Sequence, residues 1–191
     1  MQNNKTSSSV LRGKNIVLGV CSSISIYKAA ELLSRLLSLG ADVHVVMTEN
    51  ATKLMSPRIF QTLSRNDVHC SMWTNVTDWK PEHISLAEAA DLLLVAPATA
   101  NTIGNFANGL APDILSSVFL ATTSKVQIAP AMNCNMYDNP AVIKNIAELK
   151  GRGVYFTEPE EGKLACGVTG RGRLASIDAI IEDAAKILSE Y

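Results

Sequence analysis

The chain has 191 residues, of which 47% are hydrophobic and 18% charged, with a net charge of −1 and three histidines. That balance excludes a disordered chain and gives no electrostatic reason to expect nucleic acid or an anionic membrane as partner. No apolar run approaches the roughly 20 residues of a spanning helix, and the length suits one domain with a sizeable core.

The opening MQNNKTSSSVLRG is polar and lacks an apolar signal core. Residues 1–13 therefore read as a disordered tail, 14–191 as the domain, and the protein as cytoplasmic. NIVLGV (15–20) is a short apolar, β-branched run that predicts a buried first strand. The next stretch places Ile26, Ala29, Ala30, Leu33, Leu36 and Leu37 at helical spacing, with Gly40 as a stop. DVHVVMT (42–48) is the second strand. Strand, helix, strand within so short a span is a βαβ unit, which implies a parallel sheet.

Further strands are predicted at 91–98, 125–131 and 153–159, with a short one near Val68 to Met72. Helices are predicted at about 101–121, 139–150 and 177–190. With no repeat, low-complexity tract or linker, the fold class is α/β: a single-domain, doubly wound, Rossmann-like or flavodoxin-like parallel sheet sandwiched by helices. The stretch EEGKLACGVTGRGRLAS (160–176) packs Gly162, Gly167, Gly170 and Gly172 around Cys166. So many glycines predict a mobile loop without regular structure.

Two strands leave the sheet with similar words, APATAN (96–101) and APAMNCN (129–135). Pro97 and Pro130 are expected to end those strands, since neither carries a ladder N–H. Ligands of such sheets bind beyond the carboxyl ends of the strands, so these exits mark the pocket. The first turn, GVCSSIS, is neither a Walker A loop nor a G-x-G-x-x-G fingerprint. Ser22 and Ser23 there, like Thr48 and Thr52 after the second strand, suit a phosphate or equally cap a helix. Cys21, Cys70, Cys134 and Cys166 have no C-x-x-C spacing, so no metal site is expected, and the compartment disfavours disulfides.

Five words, GVCSSISIYKA, HISLAEAAD, APATANTIGNFANGLAPD, PAMNCNMY and KLACGVTGRGRL, arrive in order over residues 15 to 176. Together they resemble the homo-oligomeric flavin-containing cysteine decarboxylases, and within them the phosphopantothenoylcysteine decarboxylases. The resemblance implies FMN held by Ser22, Ser23, Thr48, Thr99, Ala100, Asn101, Thr102 and Ala131. It implies a substrate, 4'-phosphopantothenoylcysteine, contacted by Asn133 and Met136, with His83 as catalytic base and Cys166 as the acid of a closing reduction. Without the resemblance, His83 would read as a capping or surface histidine, Asn133 as a turn former and Met136 as core.

The implied chemistry oxidises the substrate thiol to a thioaldehyde, whose C=S accepts the electron pair released with carbon dioxide. The enethiol that results is then reduced to 4'-phosphopantetheine, a step of coenzyme A biosynthesis. Lys163, Arg171 and Arg173 would favour the Cys166 thiolate or touch substrate charge. Two words depart from the common pattern: CSS stands in place of a glycine-rich turn, and Tyr137 in place of a frequent tryptophan.

The resemblance further implies a homotrimer, or a dodecamer built from trimers, with the site at a subunit boundary. Substrate would come from a separate synthetase, since one helix follows the last motif. Two rival functions share the motifs. One is a peptidyl-cysteine decarboxylase that stops at the aminoenethiol, the other a non-enzymatic flavin-binding regulatory subunit. The LACG word argues against the first, and the joint presence of His83, Asn133 and Cys166 against the second.

Overall fold

A computed structural model describes residues 10–73, 80–163, 167 and 169–190. Its first strand, β1 (Asn15–Val20), lies at the centre of a six-stranded sheet. A 3-10 turn (Ile24–Ile26) leads from it into α1 (Tyr27–Ser38), and β2 (Asp42–Met47) follows. After two helices, α2 (Glu49–Thr52) and α3 (Pro57–Ser64), the chain adds β3 (Val68–His69) at one edge. It then crosses through α4 (Glu82–Ala89) to β4 (Leu92–Ala98), on the other side of β1. Helices α5 (Ala100–Ala107) and α6 (Ile114–Ala121) precede β5 (Lys125–Pro130). Short α7 (Cys134–Tyr137) and longer α8 (Pro140–Gly151) lead to β6 (Tyr155–Phe156). A two-stranded hairpin, β7 (Glu160–Lys163) with β8 (Thr169–Arg173), and α9 (Ile177–Ser189) complete the order.

The strand order is β3-β2-β1-β4-β5-β6, parallel throughout, which is the doubly wound arrangement expected from the sequence. Strand alternation divides the core. Ile16, Leu18 and Val20 of β1, with Leu92 and Leu94 of β4, face Leu32, Leu33 and Leu36 of α1 and Ile180, Ile181 and Ala184 of α9. Val17, Leu93 and Val95 face Ile103 and Phe106 of α5, Leu115 of α6 and Leu149 of α8. Each such fully buried side chain contributes about 1.5–3 kcal/mol of transfer free energy, so both layers are held to the sheet by the same term.

Several expectations need correction. Pro97 does not end its strand: it lies inside β4, where the pairing with β5 shifts register between Val95 and Ala98. Pro130 does close β5. The helix predicted over 101–121 is two helices, because Asp113 starts a new one. Its Oδ1 accepts from Ser116 N at 2.8 Å while Ser116 Oγ accepts from Asp113 N at 3.1 Å, a reciprocal cap. The strand predicted over 153–159 shrinks to Tyr155–Phe156. Within the glycine-rich stretch, residues 160–163 and 169–173 are two paired strands and not irregular loop, with Gly162 paired to Gly170. In the segment expected as tail, Leu11 is fully buried and Gly13 N donates to Gly40 O at 2.8 Å.

Candidate functional site

The carboxyl ends of the central strands are tied to one another by backbone bonds. Thr48 N donates to Val20 O (3.1 Å), Cys21 N to Pro97 O (3.2 Å), and Ala131 N to Ala98 O (2.9 Å). Where β1 and β4 part to opposite sides, the switch point of this strand order, a cavity of about 700 Å³ opens. That volume lies within the roughly 300–1,000 Å³ of small-molecule sites.

Of the predicted residues, Ser22, Ser23, Thr99, Ala100, Ala131, Asn133 and Met136 line this cavity. Three separate strand exits thus deliver their short side chains to one space. Several of these residues also cap helices: Ser23 Oγ accepts from Ser25 N, and Thr99 Oγ1 from Thr102 N. Asn133 Oδ1 accepts from Asn135 N at 2.9 Å, which starts α7 and fixes the side chain at the cavity wall. Met136, one turn on, is 48% exposed and borders the same space.

Thr48, Asn101, Thr102 and His83 are not among the residues that this cavity touches. Thr48 Oγ1 accepts from Ala51 N and caps α2. Asn101 is exposed on the first turn of α5. Thr102 is buried and donates to Cys21 Sγ at 3.2 Å. Burial pushes that thiol up to about 11, with the Thr102 hydrogen bond acting in the opposite direction, so Cys21 is a neutral wall behind the serine turn. His83 is half-buried in the first turn of α4. Beside it, Glu82 Oε2 lies 2.9 Å from His69 Nδ1, tying the start of α4 to β3, and Glu88 pairs with Lys80. Cys166 lies outside the described residues.

The cavity also gathers residues to which the sequence had assigned no place: Ser25, Tyr27, Lys28, Met132 and Gly172. The hairpin brings the last of them. Met132 N donates to Gly172 O at 2.9 Å, so β8 docks its backbone against the strand exit that carries Asn133. Arg173 lines the cavity with its Nε 3.9 Å from Glu160 Oε2, and Arg171 turns instead to Glu158. Glu158 Oε1 accepts from Lys150 Nζ at 2.6 Å and its Oε2 from Tyr137 OH at 2.8 Å. Burial opposes ionisation of Glu158, but Lys150, Tyr137 and Arg171 together hold its carboxyl below the ordinary value. Burial and that same hydrogen bond push the Tyr137 phenol up to about 12. Alternating glycines gave a sign of the docking, since only backbone without side chains packs so closely. Among the described residues no group of three His, Cys, Asp or Glu side chains is gathered as for a metal ion.

Residues 4–189 match the family model described as Flavoprotein, and the chain belongs to that family. It is 47% identical over 181 residues to the coenzyme A biosynthesis bifunctional protein CoaBC of Bacillus subtilis, covering 95% of this chain and 45% of that one. The chain thus spans less than half the length of that relative. It is 44% identical over 171 residues to a probable phosphopantothenoylcysteine decarboxylase of Streptococcus mutans, covering 88% of this chain and 96% of that one. A PPC decarboxylase, solved as a cysteine-to-serine mutant complexed with pantothenoylaminoethenethiol, has a TM-score of 0.79 at 27% identity, covering 94% and 100% of the two chains. The FMN-dependent cysteine decarboxylase SpaF has a TM-score of 0.83 at 29% identity, covering 94% and 99%.

Proposed function

We propose that this member of the Flavoprotein family binds FMN in the cavity and decarboxylates 4'-phosphopantothenoylcysteine to 4'-phosphopantetheine in coenzyme A biosynthesis. The observation that carries the reading is the convergence of Ser22, Ser23, Thr99 and Ala100 with Ala131, Asn133 and Met136 on one cavity at the switch point of the sheet. The names of the similar proteins from Bacillus subtilis and Streptococcus mutans support it.

The lining fits a flavin mononucleotide. Ala100, Ala131 and Gly172 present small surfaces that a flat ring can approach, and the serine turn before α1 offers hydroxyls for a phosphate. Ser22, Ser23, Thr99, Ala100 and Ala131 would hold the group there, with Asn101, Thr102 and Thr48 supporting the same strand exits. FMN, when bound, supplies the hydride acceptor that oxidises the substrate's C–S bond and makes loss of carbon dioxide feasible.

The side chains then divide the remaining work. Asn133, its Oδ1 fixed by the cap, presents its amide to the substrate carboxylate, and Met136 packs on the substrate's apolar part. His83 removes the thiol proton as general base. Because His83 stands away from the cavity of its own chain, the reading places the complete site at a boundary between copies, in a homotrimer or a dodecamer of trimers. Cys166 delivers the proton of the closing reduction. A synthetase supplies the substrate, and both activities belong to the cytoplasm.

The test is mass spectrometry of the products after incubation with 4'-phosphopantothenoylcysteine. The expected product is 4'-phosphopantetheine. An enethiol lighter by one H2 from the wild-type protein would assign it to the peptidyl-cysteine class instead, and no loss of carbon dioxide would overturn the reading.

A further inference from the structure

We infer that Arg173 is a specificity-determining residue that binds the distal phosphomonoester of the substrate and so separates phosphorylated from unphosphorylated cysteine amides. The inference rests on the function just proposed, which supplies a ligand with a carboxylate at one end and a phosphate at the other.

Among the described residues, the cavity lining contains two cations, Lys28 and Arg173, and no carboxylate, so it favours anions although the chain carries a net charge of −1. The two stand on different walls. Lys28 is on α1, beside Ser22, Ser23 and Ser25, whereas Arg173 ends β8. The bond from Met132 N to Gly172 O sets Arg173 against the segment that carries Asn133 and Met136, which is the substrate side.

Its guanidinium is held but not saturated. Glu160 Oε2 lies 3.9 Å from Nε, too long for a hydrogen bond, and Glu160 Oε1 is occupied by Ser176 N at 2.9 Å. The side chain is half-exposed, and among the described residues its terminal amino groups make no hydrogen bond. A planar fork of two N–H donors matches a phosphate. The chemistry separates the two substrate anions as well. A guanidinium on the departing carboxylate would stabilise the charge that the reaction must discharge, whereas the phosphate keeps its charge from substrate to product.

The test compares Arg173→Gln with wild type on 4'-phosphopantothenoylcysteine and on pantothenoylcysteine, with bound flavin measured by absorbance. We expect kcat/KM on the phosphorylated substrate to fall about 10- to 100-fold, as for loss of a charge-assisted pair. Turnover of the unphosphorylated substrate should stay within about threefold, and flavin content should not change. Should that variant not fold, Arg173→Lys carries the test. It keeps the charge but loses the fork, so a loss of about fivefold is expected on the phosphorylated substrate alone. Equal loss on both substrates, loss of flavin, or no loss at all overturns the inference. Failure of the wild-type protein to decarboxylate either substrate would overturn the proposed function instead.

Discussion

A Cβ placed on Gly172 would stand 2.3 Å from the carbonyl oxygen of Met132, and the glycine holds φ +133. The hairpin therefore lies directly on the strand exit that carries Asn133. At Gly170 the corresponding Cβ would meet the Cys134 side chain at 2.9 Å. The alternation of glycine with arginine along β8 leaves the glycine positions bare for docking, while Arg171 reaches Glu158 and Arg173 lines the cavity.

Gly172→Ala should accordingly destabilise the protein by more than the roughly 1–3 kcal/mol of backbone strain, because a fixed carbonyl blocks the new methyl. Gly153→Ala is the control. It also has a positive φ, +85, but nothing lies within 4 Å, so about 1 kcal/mol is expected. Urea unfolding midpoints compare the two, and equal losses would mean that the approach to Met132 is not tight.

Asn133 has two tasks that substitution can separate. Asn133→Ala loses the cap on Asn135 N, at a cost of about 1 kcal/mol, together with the amide. Asn133→Asp keeps a cap acceptor but sets a carboxylate against the substrate's anionic end. We expect Asn133→Asp to melt like wild type, retain flavin and release no carbon dioxide. Normal turnover by Asn133→Asp would restrict the residue to capping.

His83→Asn should release no carbon dioxide and keep its flavin, since His83 does not line the cavity of its own chain. If the site is shared between copies, oligomers reassembled from His83→Asn and Asn133→Asp chains should regain part of the activity that each variant lacks. Absence of any recovery, with mixed oligomers demonstrated by native mass spectrometry, would place His83 and Asn133 of one chain in the same site.

Glu158 couples the hairpin to α7 and α8 through Arg171, Tyr137 and Lys150. Its carboxyl is held below the ordinary 4.5, so the stabilisation is present above that value and lost as pH falls through the lower, folded one. Glu158→Gln should therefore melt below wild type at pH 7, with the gap closing in acid. The Tyr137 phenol, about 12 in the folded protein, should titrate earlier in that variant, as partial relief of its upward shift. A gap that does not narrow in acid would mean that the ionised carboxylate is not the stabilising form.

Much of this was written in the chain itself. Short apolar strands, helices of 3.6-residue periodicity and the word APA at two strand ends determined a doubly wound sheet and pointed to its carboxyl edge. These signals are legible because they are local: period, capping and proline placement act within a few residues. The motif words likewise selected Ser22, Ser23, Thr99, Ala131 and Asn133, all near strand ends.

The tertiary structure alone decided what depends on distant segments meeting. It placed the paired strands 160–163 and 169–173 against Met132, where composition suggested an irregular loop, because the register of two glycine-bearing strands is a pairing property. It carried Pro97 through β4 by a register shift against β5, which no single-strand rule contains. It turned Thr102 inward to Cys21, some 81 positions away, and left His83 outside the cavity of its own chain. It also brought Arg173 beside Asn133, since a charge acquires a target only when the chain folds back to supply one.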